Sequence, residues 1–335
     1  MIISAIKHRE FLYFNLHAEE VVSSNFIAED NVGMHENRLQ IVTLNRVVEF
    51  LKIPENHDVR DIVLDFKGIS ACQPNLHIIL IDLKGAGYNI QLKNINKNIV
   101  DDSGLSVIQN SKNVQEGCVF RKFFLFESDS DPFTDEAVNV HELFIDAFKE
   151  KIKNYINPHT QPHTSSYIYL TSYVDIKKFI SYEKEFMLFS IYKLALKIQE
   201  EWAEKLANKP ILVCQSMNSA YIVSVLSNLL KLDILILDKI GPIYKIYNTL
   251  EKTIDQNREY IVVSDLVCLG TEVKIVKSLI QFIGGKYLGN VSIIKTETLG
   301  KADILRQDAT IAVFSINKSN NRELGYNIKT DLEQF

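Results

Sequence analysis

Histidine is missing from the second half of the chain: all eight lie at or before His163, so any chemistry beyond that point proceeds without an imidazole. Cysteine is equally scarce. Cys72, Cys118, Cys214 and Cys268 are far apart and form no C-x-x-C pair, a spacing that supports neither a structural zinc site nor a disulfide framework. No apolar run reaches the ~18–20 residues that span a bilayer. Lys7, Arg9 and Glu10 interrupt the apolar start of the chain, unlike the core of a signal peptide. A cytoplasmic protein that does not enter membranes is therefore expected. Positive charge is not in excess either: the net charge is −5. That argues against a dedicated nucleic-acid binder, because neutralising phosphates needs a concentrated basic surface. There is no Gly-x-Ser-x-Gly nucleophile elbow and no paired-carboxylate motif of the glycosidase kind.

What is present is ordinary in composition. Of 335 residues, 46% are hydrophobic and 24% charged, as in soluble globular proteins, and the length suits two domains better than one. Residues 11–16 form a β-prone run. Residues 37–51 have helical spacing, with Leu39, Val42, Leu44, Val47, Val48 and Leu51 on one face, broken by Pro54 and Asn56. The run D-I-V-L-D-F (61–66) predicts a strand buried on both faces. Residues 76–83 predict a buried helix closed by Gly85 and Gly87, and residues 89–92 and 119–126 two further strands. An acidic turn (127–136) leads into a helical stripe from Val140 to Ile156. The turn lacks the glycine and the terminal Glu spacing of a calcium loop. The clearest linker is P-H-T-Q-P-H-T (158–164), whose prolines keep His159 and His163 off a common helix face.

Beyond the linker, residues 185–206 contain no Gly or Pro and predict one long helix. Strands are expected at 211–214, 233–237, 260–263 and 287–294. A polar turn is expected at 215–219, with helices at 220–230 and 273–283, the latter ended by Gly284-Gly285. This alternation implies an α/β fold with a doubly wound parallel sheet. The expected organisation is a smaller N-terminal α/β module (1–125), a connector of acidic turn, helix and linker (126–160), and a C-terminal α/β domain (161–335).

The most specific stretch is Y-I-V-V-S-D-L-V-C-L-G-T-E-V (260–273). It reads as a buried strand, an acid at its carboxyl end, and a Gly-Thr turn entering a helix. Ligands in open α/β sheets bind beyond the carboxyl ends of strands, and a helix start offers free N–H groups to a phosphate. The stretch resembles the phosphoribosyl pyrophosphate signature of type I phosphoribosyltransferases, with Ser264 in place of the first acid, Asp265 as the second, and Gly270-Thr271 closing the loop. Residues 165–181 are similar to the entrance segment of orotate phosphoribosyltransferases, with Tyr173, Asp175 and Lys177 at the matching positions and Lys178 beside them.

The resemblance implies that phosphoribosyl pyrophosphate, or a related ribose phosphate or nucleotide, is the ligand. Asp265 would hold the ribose hydroxyls and Leu269, Gly270 and Thr271 the 5-phosphate. Lys177, Lys178, Gln215, Ser216, Lys239 and Lys245 are candidate substrate or pyrophosphate contacts. An active protein would displace pyrophosphate by a nitrogen base through an oxocarbenium-like transition state, a reaction that depends on positioning and charge neutralisation. Mg²⁺ would then accompany the diphosphate, without direct protein ligands. The family also suggests a homodimer.

Three departures stand beside this. The first acid is missing. The pyrophosphate loop carries Gln215, Ser216, Met217 and Asn218 where small residues are usual, which hinders close wrapping. The catalytic loop is reduced to K-I-G-P-I-Y-K-I-Y (239–247). Two expectations therefore stand: a transferase, or a non-catalytic nucleotide-sensing or protein-interaction regulator that keeps the fold. On the bland reading, 265–271 is an ordinary strand-to-helix turn, and Lys177 and Lys178 are a solvated face. In the first module, R-D-I-V-L-D-F-K-G-I-S (60–70) with strand 89–94 resembles the sulfate-transporter and anti-sigma-factor-antagonist (STAS) domain. That likeness implies docking on a partner protein. Pro74 and Asn75 stand where the switch serine of that family would be.

Overall fold

The computed structural model describes residues 3–8, 11–16, 38–107, 112–125, 140–158, 172–237, 255–267, 270–297, 310–318 and 326–329. The chain divides into two units, Met1–Ala147 and Phe148–Phe335. Both are mixed α/β, each with a six-stranded sheet that contains parallel pairs. Among the described residues no helix is long and apolar enough to cross a membrane.

In the first unit, β1 (Ile3–His8) and β2 (Phe11–Leu16) form an antiparallel hairpin. The chain runs through β3 (Arg38–Leu39) into α1 (Ile41–Leu51) and returns in β4 (Asp61–Asp65). It repeats the move through β5 (Ala71–Cys72) and α2 (Leu76–Gly85) to β6 (Asn89–Asn96). After α3 (Lys97–Asp102), the strands β7 (Val114–Glu116) and β8 (Val119–Phe124) close the sheet. Its order is β1-β2-β4-β6-β8-β7. Neighbours among β2, β4 and β6 are parallel, and the remaining pairs are antiparallel.

One face of this sheet holds the apolar core. Leu12, Phe14, Ile62, Leu64, Ile90 and Leu92 pack with Leu44, Val47 and Leu51 of α1 and Leu76, Leu80 and Leu83 of α2, at roughly 1.5–3 kcal/mol per fully buried side chain. Against the expectation of a buried helix, α2 buries only this i, i+4, i+7 stripe, and Ile78 and Ile81 are exposed. A helix lying on one face of a sheet needs a single apolar stripe. The glycine at its end behaves as expected. Gly87 is left-handed (φ 87°) and donates to the Lys84 carbonyl while Tyr88 donates to that of Leu83, the pairing of a Schellman cap.

Helix α4 (Val140–Lys153) contains the point of division between the units. In the second unit Phe148 stacks on Phe314 and Phe186. Strand β9 (Ile156–Pro158) pairs antiparallel with β10 (Ser172–Val174), so the first proline of the linker segment closes a strand. Residues 159–164 lie outside the described residues, as does the acidic turn 127–136. Next come α5 (Ile176–Tyr182), α6 (Lys184–Glu201) and the single turn α7 (Ala203–Leu206). The long helix expected over 185–206 is broken at Trp202 (φ −116°, ψ 25°). There the indole is buried, with the Lys205 ammonium 4.1 Å from its ring centre.

The main sheet follows: β11 (Ile211–Cys214), α8 (Met217–Leu230), β12 (Ile234–Ile236), β13 (Glu259–Val267), α9 (Thr271–Ile283), β14 (Lys286–Glu297), β15 (Thr310–Lys318) and β16 (Tyr326–Lys329). The order is β12-β11-β13-β14-β15-β16, parallel except for β16 at the edge. From β11 the chain first steps outward to β12, then crosses back to β13 on the other side. That reversal opens a crevice at the carboxyl ends of β11 and β13, where open α/β sheets take their ligands.

Candidate functional site at the β11–β13 crevice

Strand β13 extends further than its apolar run foretells. It continues through Ser264 and Asp265 to Val267, with Tyr260 to Asp265 all buried. Asp265 therefore lies within the strand and not in the turn, and it is only 8% exposed. Its carboxylate accepts three hydrogen bonds from protein donors. Oδ1 accepts from the Leu266 backbone N–H at 2.9 Å and from the Ser219 hydroxyl at 3.4 Å, and Oδ2 accepts from the Asn218 side-chain amide at 3.0 Å. The Asp265 backbone N–H in turn donates to Ser219 Oγ at 3.0 Å. An ionised carboxylate survives such burial only when hydrogen bonded in this way.

Those partners come from the start of α8. Only Gln215 and Ser216 connect β11 to that helix, which begins at Met217 and not, as expected, at residue 220. Ser216 is the N-cap, accepting from the Ser219 N–H at 3.1 Å, with its hydroxyl 2.7 Å from that of Ser219. Asn218 and Ser219 thus sit in the first turn, and the negative charge of Asp265 faces the positive end of the helix dipole, a favourable placement. Gln215 adds a side-chain oxygen that is buried without a hydrogen-bond partner among the described residues. Below it, the fully buried Cys214 thiol has its pKa pushed up to about 11, by burial first and by the charge of Asp265 second.

On the other side of the crevice, Gly270 caps α9 in the left-handed region (φ 69°, ψ 12°), a conformation that favours glycine. Thr271 is the first residue of α9. Its side chain, together with Leu269, Lys239 and Lys245, lies outside the described residues. Lys177 and Lys178 are both exposed on α5. Asp175 is the N-cap of that helix, accepting from the Lys178 N–H at 3.1 Å and pairing with its ammonium at 3.5 Å. The structure links Asp265 to the first turn of α8, which Ser216 caps, and it uses Asp175 as the cap of α5.

Asn218 and Ser219, the direct partners of Asp265, belong to the polar turn expected at 215–219, but a bond from either to Asp265 was not expected. The only trace of it in the chain is the Ser-x-x-Ser spacing of 216 and 219, which marks a cap and says nothing of a carboxylate 46 residues away. Among the described residues no group of three or more His, Cys, Asp or Glu is arranged to hold a metal ion. Asp265 alone, with its carboxylate already accepting from Asn218, Ser219 and Leu266, does not make a magnesium ligand set.

No family model and no curated protein matches the chain. Solved structures do. The chain is similar to the adenine phosphoribosyltransferase of Thermoanaerobacter pseudethanolicus at 16% identity, over 50% of this chain and 98% of that one, with a TM-score of 0.35. It is similar to the adenine phosphoribosyltransferase of Rhodothermus marinus at 15% identity over 50% and 97% of the two chains (TM-score 0.37). The orotate phosphoribosyltransferase of Aeropyrum pernix is 12% identical over 50% and 93% (TM-score 0.37). These neighbours are phosphoribosyltransferases that cover about half of this chain at low identity.

Proposed function

We propose that the second unit binds a ribose phosphate, phosphoribosyl pyrophosphate or a nucleotide, in the β11–β13 crevice. The observation that carries this reading is a single buried acid, Asp265, held at the point of strand reversal. Oδ2 receives one hydrogen bond, from Asn218, and keeps a lone pair for a ribose hydroxyl. Leu269, Gly270 and Thr271 form the 5-phosphate loop at the start of α9, and the orphaned Gln215 oxygen suits a hydroxyl or amine donor of the ligand. Ser216, Lys177, Lys178, Lys239 and Lys245 remain candidate contacts.

A specific observation favours the non-catalytic form of this reading. The two-residue turn after β11 leaves no loop to wrap a diphosphate, and Ser264 replaces the first acid inside the strand. In that form the protein is a nucleotide-sensing regulator, with the first unit as the docking module for a protein partner, and no step passes through magnesium.

Calorimetric titration with phosphoribosyl pyrophosphate, with and without Mg²⁺, and with ribose 5-phosphate tests the proposal. Binding of at least one ligand is expected, weakened tenfold or more by Asp265→Asn with the unfolding midpoint checked in parallel. Binding that needs magnesium, followed by pyrophosphate release with a base, supports a transferase. Binding that is indifferent to magnesium supports the sensor. A folded protein that takes up neither ligand overturns the proposed site.

A further inference from the structure

The first unit holds a second polar constellation, on the sheet face opposite its core. The steps β2 to β4 and β4 to β6 run in the same direction across the sheet. Right-handed crossovers that step in one direction place their helices on one side, and α1 and α2 share the apolar core on that side. Strand alternation sends the intervening residues to the other face. At the carboxyl ends of the three parallel strands these form a row. Asn15 is registered opposite Asp65, Asp65 opposite Lys93, and Lys93 opposite Lys122 of β8.

Within the row both oxygens of Asp65 are engaged, and two donors have no hydrogen-bond partner among the described residues. Asp65, 2% exposed, accepts at Oδ2 from the Tyr13 hydroxyl and at Oδ1 from the Asn94 amide (2.8 Å) and the Lys67 backbone N–H (2.9 Å). Lys93 takes no part in this. Its ammonium lies 5.6 Å from the Tyr13 ring centre and makes no hydrogen bond or ion pair among the described residues. Asn15, also 2% exposed, has a side-chain amide nitrogen without a partner among the described residues. Burial draws the pKa of Lys93 down, Asp65 opposes that, and the neighbouring charges of Lys67 and Lys122 add to it. One carboxylate thus stands among three ammonium groups in a partly desolvated place, where charge-assisted hydrogen bonds are strong.

We propose that this row binds a small oxyanion, the carboxylate or phosphate group of a low-molecular-weight ligand, with the Lys93 ammonium and the Asn15 amide as its donors. A cation or a ligand that only donates hydrogen bonds is disfavoured, since the unmatched groups are themselves donors. Lys67 and Lys122 supply surrounding potential without needing direct contact.

The test uses the full chain with ¹³C-dimethylated lysines, titrated with inorganic phosphate and separately with acetate at constant ionic strength. Lys93→Arg assigns the resonance. The Lys93 signal is expected to move saturably with at least one anion, and the two arms distinguish phosphate from carboxylate chemistry. The signal of Lys97, exposed and paired with Asp101, stays in place. Asn15→Leu is expected to weaken the response at least tenfold. A Lys93 signal that does not move, or that drifts in parallel with Lys97, overturns the proposal. Should Lys93 resist methylation, the unfolding midpoint decides: the proposal requires a larger rise with anion in wild type than in Lys93→Met, and equal rises overturn it. Anion taken up by the second unit raises both proteins alike, so this outcome is independent of the ribose-phosphate reading.

Discussion

Asp265 shows how one side chain serves as structure and as site. Three donors hold its carboxylate, and each such charged hydrogen bond contributes about 1.5–3 kcal/mol. Beside it, Cys214 yields a direct check on the electrostatics. With a folded pKa near 11 against an ordinary 9.0, the thiol stays protonated in the native protein while the unfolded chain ionises. Its contribution to stability is therefore complete below about pH 9 and is lost as pH rises from 9 to 11. Alkylation followed by mass spectrometry at pH 8 is expected to label the exposed Cys118 and to leave Cys214 largely untouched. Equal labelling of the two would contradict this placement. The sequence marked Asp265 through its neighbours on the strand, whereas Asn218 and Ser219 became visible only once α8 was laid across it.

At the scale of elements, starts and ends decide the geometry. The end of α9 follows from its two glycines. Gly284 takes the left-handed conformation (φ 96°), and Gly285 has no room for a side chain. A Cβ there would lie 2.8 Å from Cε2 of Tyr260 and 3.0 Å from Cγ2 of Ile280. Tyr260 is fully buried, its hydroxyl bonded to the Asp255 carbonyl at 3.1 Å, so it cannot retreat cheaply. Gly285→Ala is expected to destabilise by about 1–3 kcal/mol, read from the denaturant midpoint. Gly85→Ala, which meets nothing within 4 Å, serves as the neutral control. Such a doublet is legible in sequence because glycine at a helix end has few other uses. The start of α8 and the break at Trp202 were not legible. Ser216, Met217 and Asn218 read equally as loop or first turn, and Trp202 breaks a helix without the Gly or Pro that composition could flag.

At the scale of the molecule, each unit has an apolar cluster and a polar cluster of its own. The chain is expected to unfold in two calorimetric transitions, with a ribose-phosphate ligand raising only the one that Asp265→Asn perturbs. A single transition would show that the units unfold together.

The sequence by itself determined the α/β alternation, the longer core strands of both units and the position of the Asp265 strand, since apolar periodicity and helix-ending glycines act locally. The mixed, partly antiparallel edges of both sheets were beyond it, because pairing direction depends on which strands meet. Tertiary structure alone decided that Asp265 is clasped by the first turn of α8. It likewise decided that Asn15, Asp65, Lys93 and Lys122, spread over more than 100 residues, form one row. Register between distant strands creates these neighbours, and no local spacing encodes it.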